Sequence, residues 1–331
     1  MKCKIKSSLS GLLIAILILL VVVLIITAYF ASNLTKEKLA KNINPPPQGL
    51  MILIESTDEA TGLLEMVSEM KKRDIYGLLM ITPEFVSKNC EDVKKSLEYG
   101  NIEIVASNVG APFWNISYEE QKSRIAQMLD GIQKCTGEKP RIISSRYMAS
   151  DMNTIKAAEE LGVTYITARG TTGSKATVYQ PEGYNIKILS VSNIPLVSFE
   201  YGSLCDYSFY ERAGSPNDMK QELMRAIEPL TNKEMHWFGK YHRITPVSHT
   251  YIGGHLKQWN DMWIDFWDNA NIKWVTPDEF MSQPDWTMPL WQIPTNKNNP
   301  YTEEKIRPLI PYEKEEKVKN MCAVVDDSVL E

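Results

Sequence analysis

From Leu50 to Thr276 the chain alternates apolar runs of strand length with segments of helical period. No other feature of the sequence restricts the fold as strongly. "LMILI" at 50–54 is followed by "ATGLLEMVSEMKKRD", whose Leu63, Leu64, Val67 and Met70 make one face. The same alternation continues through "YGLLMI", "CEDVKKSLEYG", "IEIVAS", "YEEQKSRIAQMLDGIQKC", "RIISS", "NTIKAAEELG" and "TYITA". After residue 185 come the strand-like "KILSV" and "PLVSFEY", a helix "NDMKQELMRAIEPL", a strand "RITPVSH", a helix "LKQWNDMWIDFWDNA" and a last strand "IKWVT". Strands alternating with long helices predict βαβ units, hence an α/β fold around a largely parallel sheet. About seven such units would close a distorted (β/α) barrel.

The segments before Leu50 differ in kind. "GLLIAILILLVVVLIITAYF", 11–30, carries no charge and as a helix spans the roughly 30 Å of a bilayer core. It predicts a transmembrane anchor after a short cytoplasmic stretch, 1–10. A cleaved signal peptide is the competing reading, but its apolar region is shorter and ends in an A-x-A-like site that "TAYFASN" matches poorly. Lysines flank the span almost equally, so orientation rests on the long C-terminal domain, which crosses largely regardless of its charge. The domain is expected outside, where the sequons at Asn33 and Asn115 fit. "KNINPPPQG" ends a stiff spacer, 31–49, before the domain at 50–285. Residues 286–331, rich in proline and charge without period, are expected to be an irregular extension and tail.

A net charge of −5 and a pI near 5.6 leave no basic surface for phosphates, which excludes a nucleic-acid partner. Five cysteines show no C-x-x-C pair. Cys3 faces the cytoplasm in this topology, and the other four allow three disulfide pairings, left open.

In parallel α/β folds chemistry collects after the C-terminal ends of strands. Those ends read "IESTDE", "ASNVGAPFW", "SSRYMASD" and "VSHTY". They single out Glu55 as a base, His249 as an acid, and Arg146, Tyr147 and Trp114 as residues to hold a substrate. Asp58 reads as a helix cap, and Trp259, Trp263 and Trp267, four residues apart, as a core stripe. All four histidines, His236, His242, His249 and His255, fall within "HWFGKYHRITPVSHTYIGGH". They span a connection, a strand end and a turn without the fixed spacing of a metal pair, so only His249 points to the active face.

The stretch "CTGEKPRIISSRYMASDMNTIKAAEELGVTYIT" resembles the third motif region of the polysaccharide deacetylases, the NodB-homology proteins, with Gly137, Pro140, Tyr147, Thr154, Leu161 and Gly162 in register. "VSHTY" is similar to the late Leu-x-His motif of that family, with His249 in the histidine position, and "IKWVTPDEF" to its closing strand and helix. The resemblance covers about residues 50 to 280. It implies a barrel that removes acetyl groups from N-acetylated sugars with a carboxylate base and a divalent ion held by one Asp and two His. Here the Phe-Asp-Asp-Gly motif falls on Ile54-Glu55-Ser56-Thr57, and the two histidines fall near Ser107 and Ala111. The motif-three Arg falls on Ser144, with Arg146 two places later. The base position keeps a carboxylate, but the metal ligands are replaced. The expectation is therefore a glycan-directed binding or regulatory module without metal or other cofactor. A hydrolase of N-acetyl amide bonds with altered chemistry is the alternative, zinc or another divalent ion entering only there, and a protein-interaction domain is a third reading.

Overall fold

The computed structural model describes Val22, Val23, Thr27 and residues 46–293, except 56–57, 109–111, 170–173, 195–202, 213, 229–240 and the side chain at 115. The apolar run 11–30 lies outside the described residues apart from those first three, where Thr27 Oγ1 donates to the Val23 carbonyl at 3.0 Å. Among the described residues no helix is long and apolar enough to cross a membrane. Met1–Pro46 and Pro47–Glu331 are separate compact units, and the second carries the sheet.

Its strands are β1 Gln48–Gly49, β2 Met51–Ile54, β3 Gly77–Ile81, β4 Ile102–Ala106, β5 Ile142–Ser144, β6 Tyr165–Ala168, β7 Thr177–Pro181, β8 Lys187–Ser190, β9 Arg243–Ile244, β10 Val247–His249, β11 Lys273–Trp274 and β12 Trp286–Met288. Among the described residues a nine-stranded sheet runs β10-β2-β3-β4-β5-β6-β8-β7-β12, and β11-β1-β9 form a small second sheet. From β10 to β8 every neighbouring pair is parallel, while β7 joins β8 antiparallel. The expected mixed α/β fold with a parallel-dominated sheet is the observed one.

Burial follows from strand periodicity. Leu50, Ile52, Leu78, Met80, Val105 and Val247 form one apolar cluster, and Met51, Leu53, Leu79, Ile81, Ile104 and Ala106 join another with the helices. Alternate side chains leave opposite faces of a strand, so a sheet covered on both faces reads as uninterrupted apolar runs. The sheet curls until its two sides meet. Ala176 bridges Arg243, its N–H donating to the Arg243 carbonyl at 2.9 Å. Ser192 and Thr245 exchange hydrogen bonds from backbone N–H to side-chain oxygen at 2.9 and 3.1 Å.

The helices are α1 Leu63–Lys71, α2 Pro83–Glu98, α3 Tyr118–Thr136, α4 Met152–Glu160, α5 Asp206–Tyr210, α6 Pro216–Ala226, α7 Thr250–Gly253, α8 Lys257–Asn269 and α9 Pro277–Met281. In α1 the buried face is Leu63, Met66, Val67 and Met70, with Leu64 only half-buried. Gly62 precedes α1 at φ 78°, and a Cβ there would collide with the Thr250 carbonyl and the Gly254 backbone. This close approach sets α1 against the end of β10. Asp58 does not cap the helix as expected: its side chain is 84% exposed in an ion pair with Lys88. A disulfide between Cys90 and Cys135 ties α2 to α3.

The sheet does not stop at residue 285. The segment expected to be irregular supplies β12, which pairs with β7 because Asp285 ties the two together. Its carboxylate accepts from the Val178 N–H at 2.9 Å and from Arg243 Nη1 at 2.7 Å, and Trp286 stacks on Tyr179. β7 itself, a hairpin partner of β8, was not among the expected strands.

Candidate functional site

β10 pairs with β2 so that His249 stands opposite Ile54, and the next residues, Thr250 and Glu55, meet at the strand ends. Thr250 Oγ1 donates to Glu55 Oε1. Glu55 is 3% exposed, and Oε2 has no hydrogen-bond partner among the described residues. Burial pushes the carboxyl up to about 8, with the Thr250 hydrogen bond acting in the opposite direction. At neutral pH Glu55 is therefore mainly a neutral acid, a poor match to the base role.

Sequence reasoning missed the groups that hold His249. Cys205 bridges Val247, and the Val247 N–H donates to the Leu204 carbonyl at 2.9 Å, which lays residues 204–206 along β10. Asp206, fully buried at the start of α5, accepts four hydrogen bonds from nitrogen and oxygen donors and a fifth from Cys205 Sγ at 3.7 Å. Oδ1 takes the N–H groups of Tyr207 at 2.7 Å and His249 at 2.9 Å; Oδ2 takes Ser248 Oγ at 2.5 Å and Trp263 Nε1 at 3.2 Å. His249 Nδ1 lies 3.3 Å from Cys205 Sγ and 3.7 Å from Asp206 Oδ1. Burial, then the Asp206 charge, raises the Cys205 thiol well above its ordinary value, so it stays protonated. With Nδ1 turned to this pair, the opposite ring nitrogen, Nε2, faces away from it. Tyr207 lies 4.8 Å from the imidazole centroid and Tyr251 6.0 Å; burial raises the Tyr251 phenol, keeping it neutral. The donor set around Asp206 has no local sequence pattern, since Trp263 comes from α8 and Ser248 from β10.

The tryptophan stripe Trp259, Trp263 and Trp267 is core, as its spacing predicts, at 5%, 0% and 5% exposed. Trp263 adds a polar use, because its N–H reaches the buried carboxylate.

The other expected site residues follow β5, three strands from β2 in the sheet order. Arg146 and Tyr147 are exposed, with the Arg146 guanidinium carbon 4.8 Å from the Tyr147 ring centroid. Tyr147 and Met148 take φ of 60° and 53°, a left-handed turn that non-glycine residues adopt at a cost of about 1–3 kcal/mol each. That turn sends Tyr147 outward while Met148 enters the inner cluster. Trp114 does not match its expected role: it is 3% exposed and packs with Ala149, so no ring face is left for a sugar.

The histidines do not gather. His242 Nε2 lies 2.6 Å from the buried Lys175 Nζ, His255 is exposed, and His236 lies outside the described residues. Nor do the residues present fit the ion of the deacetylase mechanism. Ser107 is 6% exposed and offers a hydroxyl where imidazole is required; Ser56 and Ala111 lie outside the described residues. Among the described residues one group can bring three metal-ligating atoms together, Cys205, Asp206 and His249.

No protein-family model matches the chain, and no curated protein sequence does. Solved structures do. A protein described as a polysaccharide deacetylase from Pseudomonas aeruginosa superposes with a TM-score of 0.54 at 10% identity, covering 71% of this chain and 89% of that one. A second one so described, from Mycobacterium smegmatis, gives 0.52 at 9% identity over 71% and 89%. This chain has the polysaccharide-deacetylase fold. A branching enzyme from Thermococcus kodakaraensis, solved with glucose, is similar over 85% of this chain and 78% of its own, with a TM-score of 0.51 and 11% identity. The chain is thus similar in fold to proteins of differently named activities, and fold alone does not assign a chemistry.

Proposed function

We propose that this chain is a divergent member of the polysaccharide deacetylase family, a membrane-anchored protein whose external domain binds glycan without hydrolysing it. The observation that carries this reading is Glu55. It occupies the base position, but burial to a pKa of about 8 leaves it protonated at neutral pH, and the positions of the metal ligands that would activate a water hold Ser56, Ser107 and Ala111. The fold, the strand-end position of the site and the exposed Tyr147 beside Arg146 support a sugar ligand, since an aromatic face and a guanidinium suit a ring and its hydroxyls. The uncharged run 11–30 supports anchoring, and the Cys90–Cys135 disulfide supports an oxidising, external compartment.

A hydrolase of N-acetyl amide bonds is the second reading, favoured by His249, whose imidazole Nδ1 lies 3.7 Å from the fully buried Asp206 carboxylate, the kind of charge partner an acid-base residue uses. A glycan array probed with the full chain in detergent tests the binding proposal. Retention on N-acetylated oligosaccharides, weakened by Tyr147→Ala, is the expected result. An empty array together with crosslinking in membranes to a protein partner replaces it with the protein-interaction reading.

A further inference from the structure

We infer that Cys205, Asp206 and His249 form a binding site for a divalent transition metal of the zinc type, built from residues other than those that fall at the deacetylase family's metal-ligand positions. The donor atoms come from the segment entering α5 and from the end of β10. Sγ and Nδ1 are 3.3 Å apart, Nδ1 and Oδ1 3.7 Å, and Sγ and Oδ1 3.7 Å. The centre of such a triangle lies about 2.1 Å from each corner, close to zinc bond lengths of about 2.3 Å to sulfur and about 2.0 Å to nitrogen and oxygen. No rearrangement of the backbone is needed.

The chemistry of the set agrees with its geometry. Thiolate, imidazole and carboxylate select zinc-like ions over magnesium or calcium, which prefer oxygen alone. On binding, the thiol proton leaves to solvent and the imidazole proton resides on Nε2, so a thiolate and a carboxylate neutralise the divalent charge in a buried place. Without an ion, Asp206 is a buried carboxylate contacted, among the described residues, by neutral donors and a histidine. The outer partners that orient metal ligands are already in place. Ser248 Oγ and Trp263 Nε1 hold Oδ2, while two backbone N–H groups fix Oδ1 and leave the ion a third direction. Gly253 lies so close that an added Cβ would meet Ser248 Oγ, Trp263 Nε1 and Asp206 Oδ2, which keeps this shell tight. The His249 side chain is 12% exposed, giving an ion a path in. The inference does not depend on the glycan reading.

The test is metal titration of the full chain in detergent, with Cys3 and Cys322 replaced by Ser so that Cys205 is the one thiol outside the disulfide pair. Co2+ is expected to bind one per chain with a thiolate-to-cobalt charge-transfer band in the near ultraviolet, which Zn2+ displaces. Cys205→Ser is expected to abolish the band and weaken Zn2+ at least about tenfold. X-ray absorption of the zinc-loaded protein, with Cys205 in place, should give one sulfur and otherwise nitrogen and oxygen neighbours, a readout that does not rely on any variant folding. Absence of stoichiometric binding, a first shell without sulfur, or an unchanged titration in a folded Cys205→Ser protein would overturn the site.

Discussion

Arg243 opens the β9–β10 segment and His249 closes it, and a buried aspartate stands at each end. At the opening end Asp285 meets a cation. Arg243 Nη1 donates to it at 2.7 Å, both side chains are almost wholly buried, and the guanidinium lies over the rings of Tyr241 and Phe280. Burial raises the Asp285 carboxyl and lowers Arg243 even so, as expected where desolvation rivals the Coulombic gain. At the closing end Asp206 is equally buried but has, among the described residues, neutral donors and an imidazole instead of a cation. The first arrangement pairs opposite charges and holds β7, β9 and β12 together, although Arg243 Nε and Asp285 Oδ1 have no hydrogen-bond partner among the described residues. The second has no Lys or Arg partner among the described residues and sets its carboxylate beside Cys205 Sγ and His249 Nδ1, the mark of a site rather than a clamp.

Removing each carboxylate separates the two roles. Asp285→Ala leaves Arg243 as an unpaired buried charge and should cost about 3–5 kcal/mol in denaturant unfolding of the full chain. Asp206→Asn orphans no cation and only mismatches one acceptor with its donors, so about 1–3 kcal/mol is expected. Equal losses would erase the distinction.

Glu55, joined to the end of β10 through Thr250, gives a pH-dependent effect. Its carboxyl shifts from 4.5 to about 8 on folding, so the folded state holds a proton that the unfolded chain has released. Stability from this group is fully present below pH 4.5, and falls by at most about 1.4 kcal/mol per unit as pH rises from 4.5 to 8. Glu55→Gln should flatten that slope in unfolding curves measured from pH 5 to 8. An unchanged slope would mean that Glu55 ionises freely in the folded protein.

Much of the fold was legible because strands covered on both faces read as unbroken apolar runs, "LMILI" and "YGLLMI" being the clearest. β7 and β12 were not, since "TVYQP" contains a proline and "WTM" is held by the long-range contacts of Asp285. At the site, Glu55 and His249 could be found because strand ends point to them. Cys205 and Asp206 could not, since their meaning arises only when residues 204–206 lie along β10. Trp114 misled for the opposite reason: an aromatic in a loop sequence was covered by Ala149 from another segment.

Acetate release decides the central claim that the site binds glycan without hydrolysing it. The full chain, in metal-free buffer at pH 7, is incubated with an N-acetylated chitooligosaccharide it retains on the array, and free acetate is followed over many equivalents. Saturable binding with no acetate above the no-protein control is predicted. Sustained acetate release that Glu55→Gln abolishes would contradict the account and restore hydrolysis to this fold.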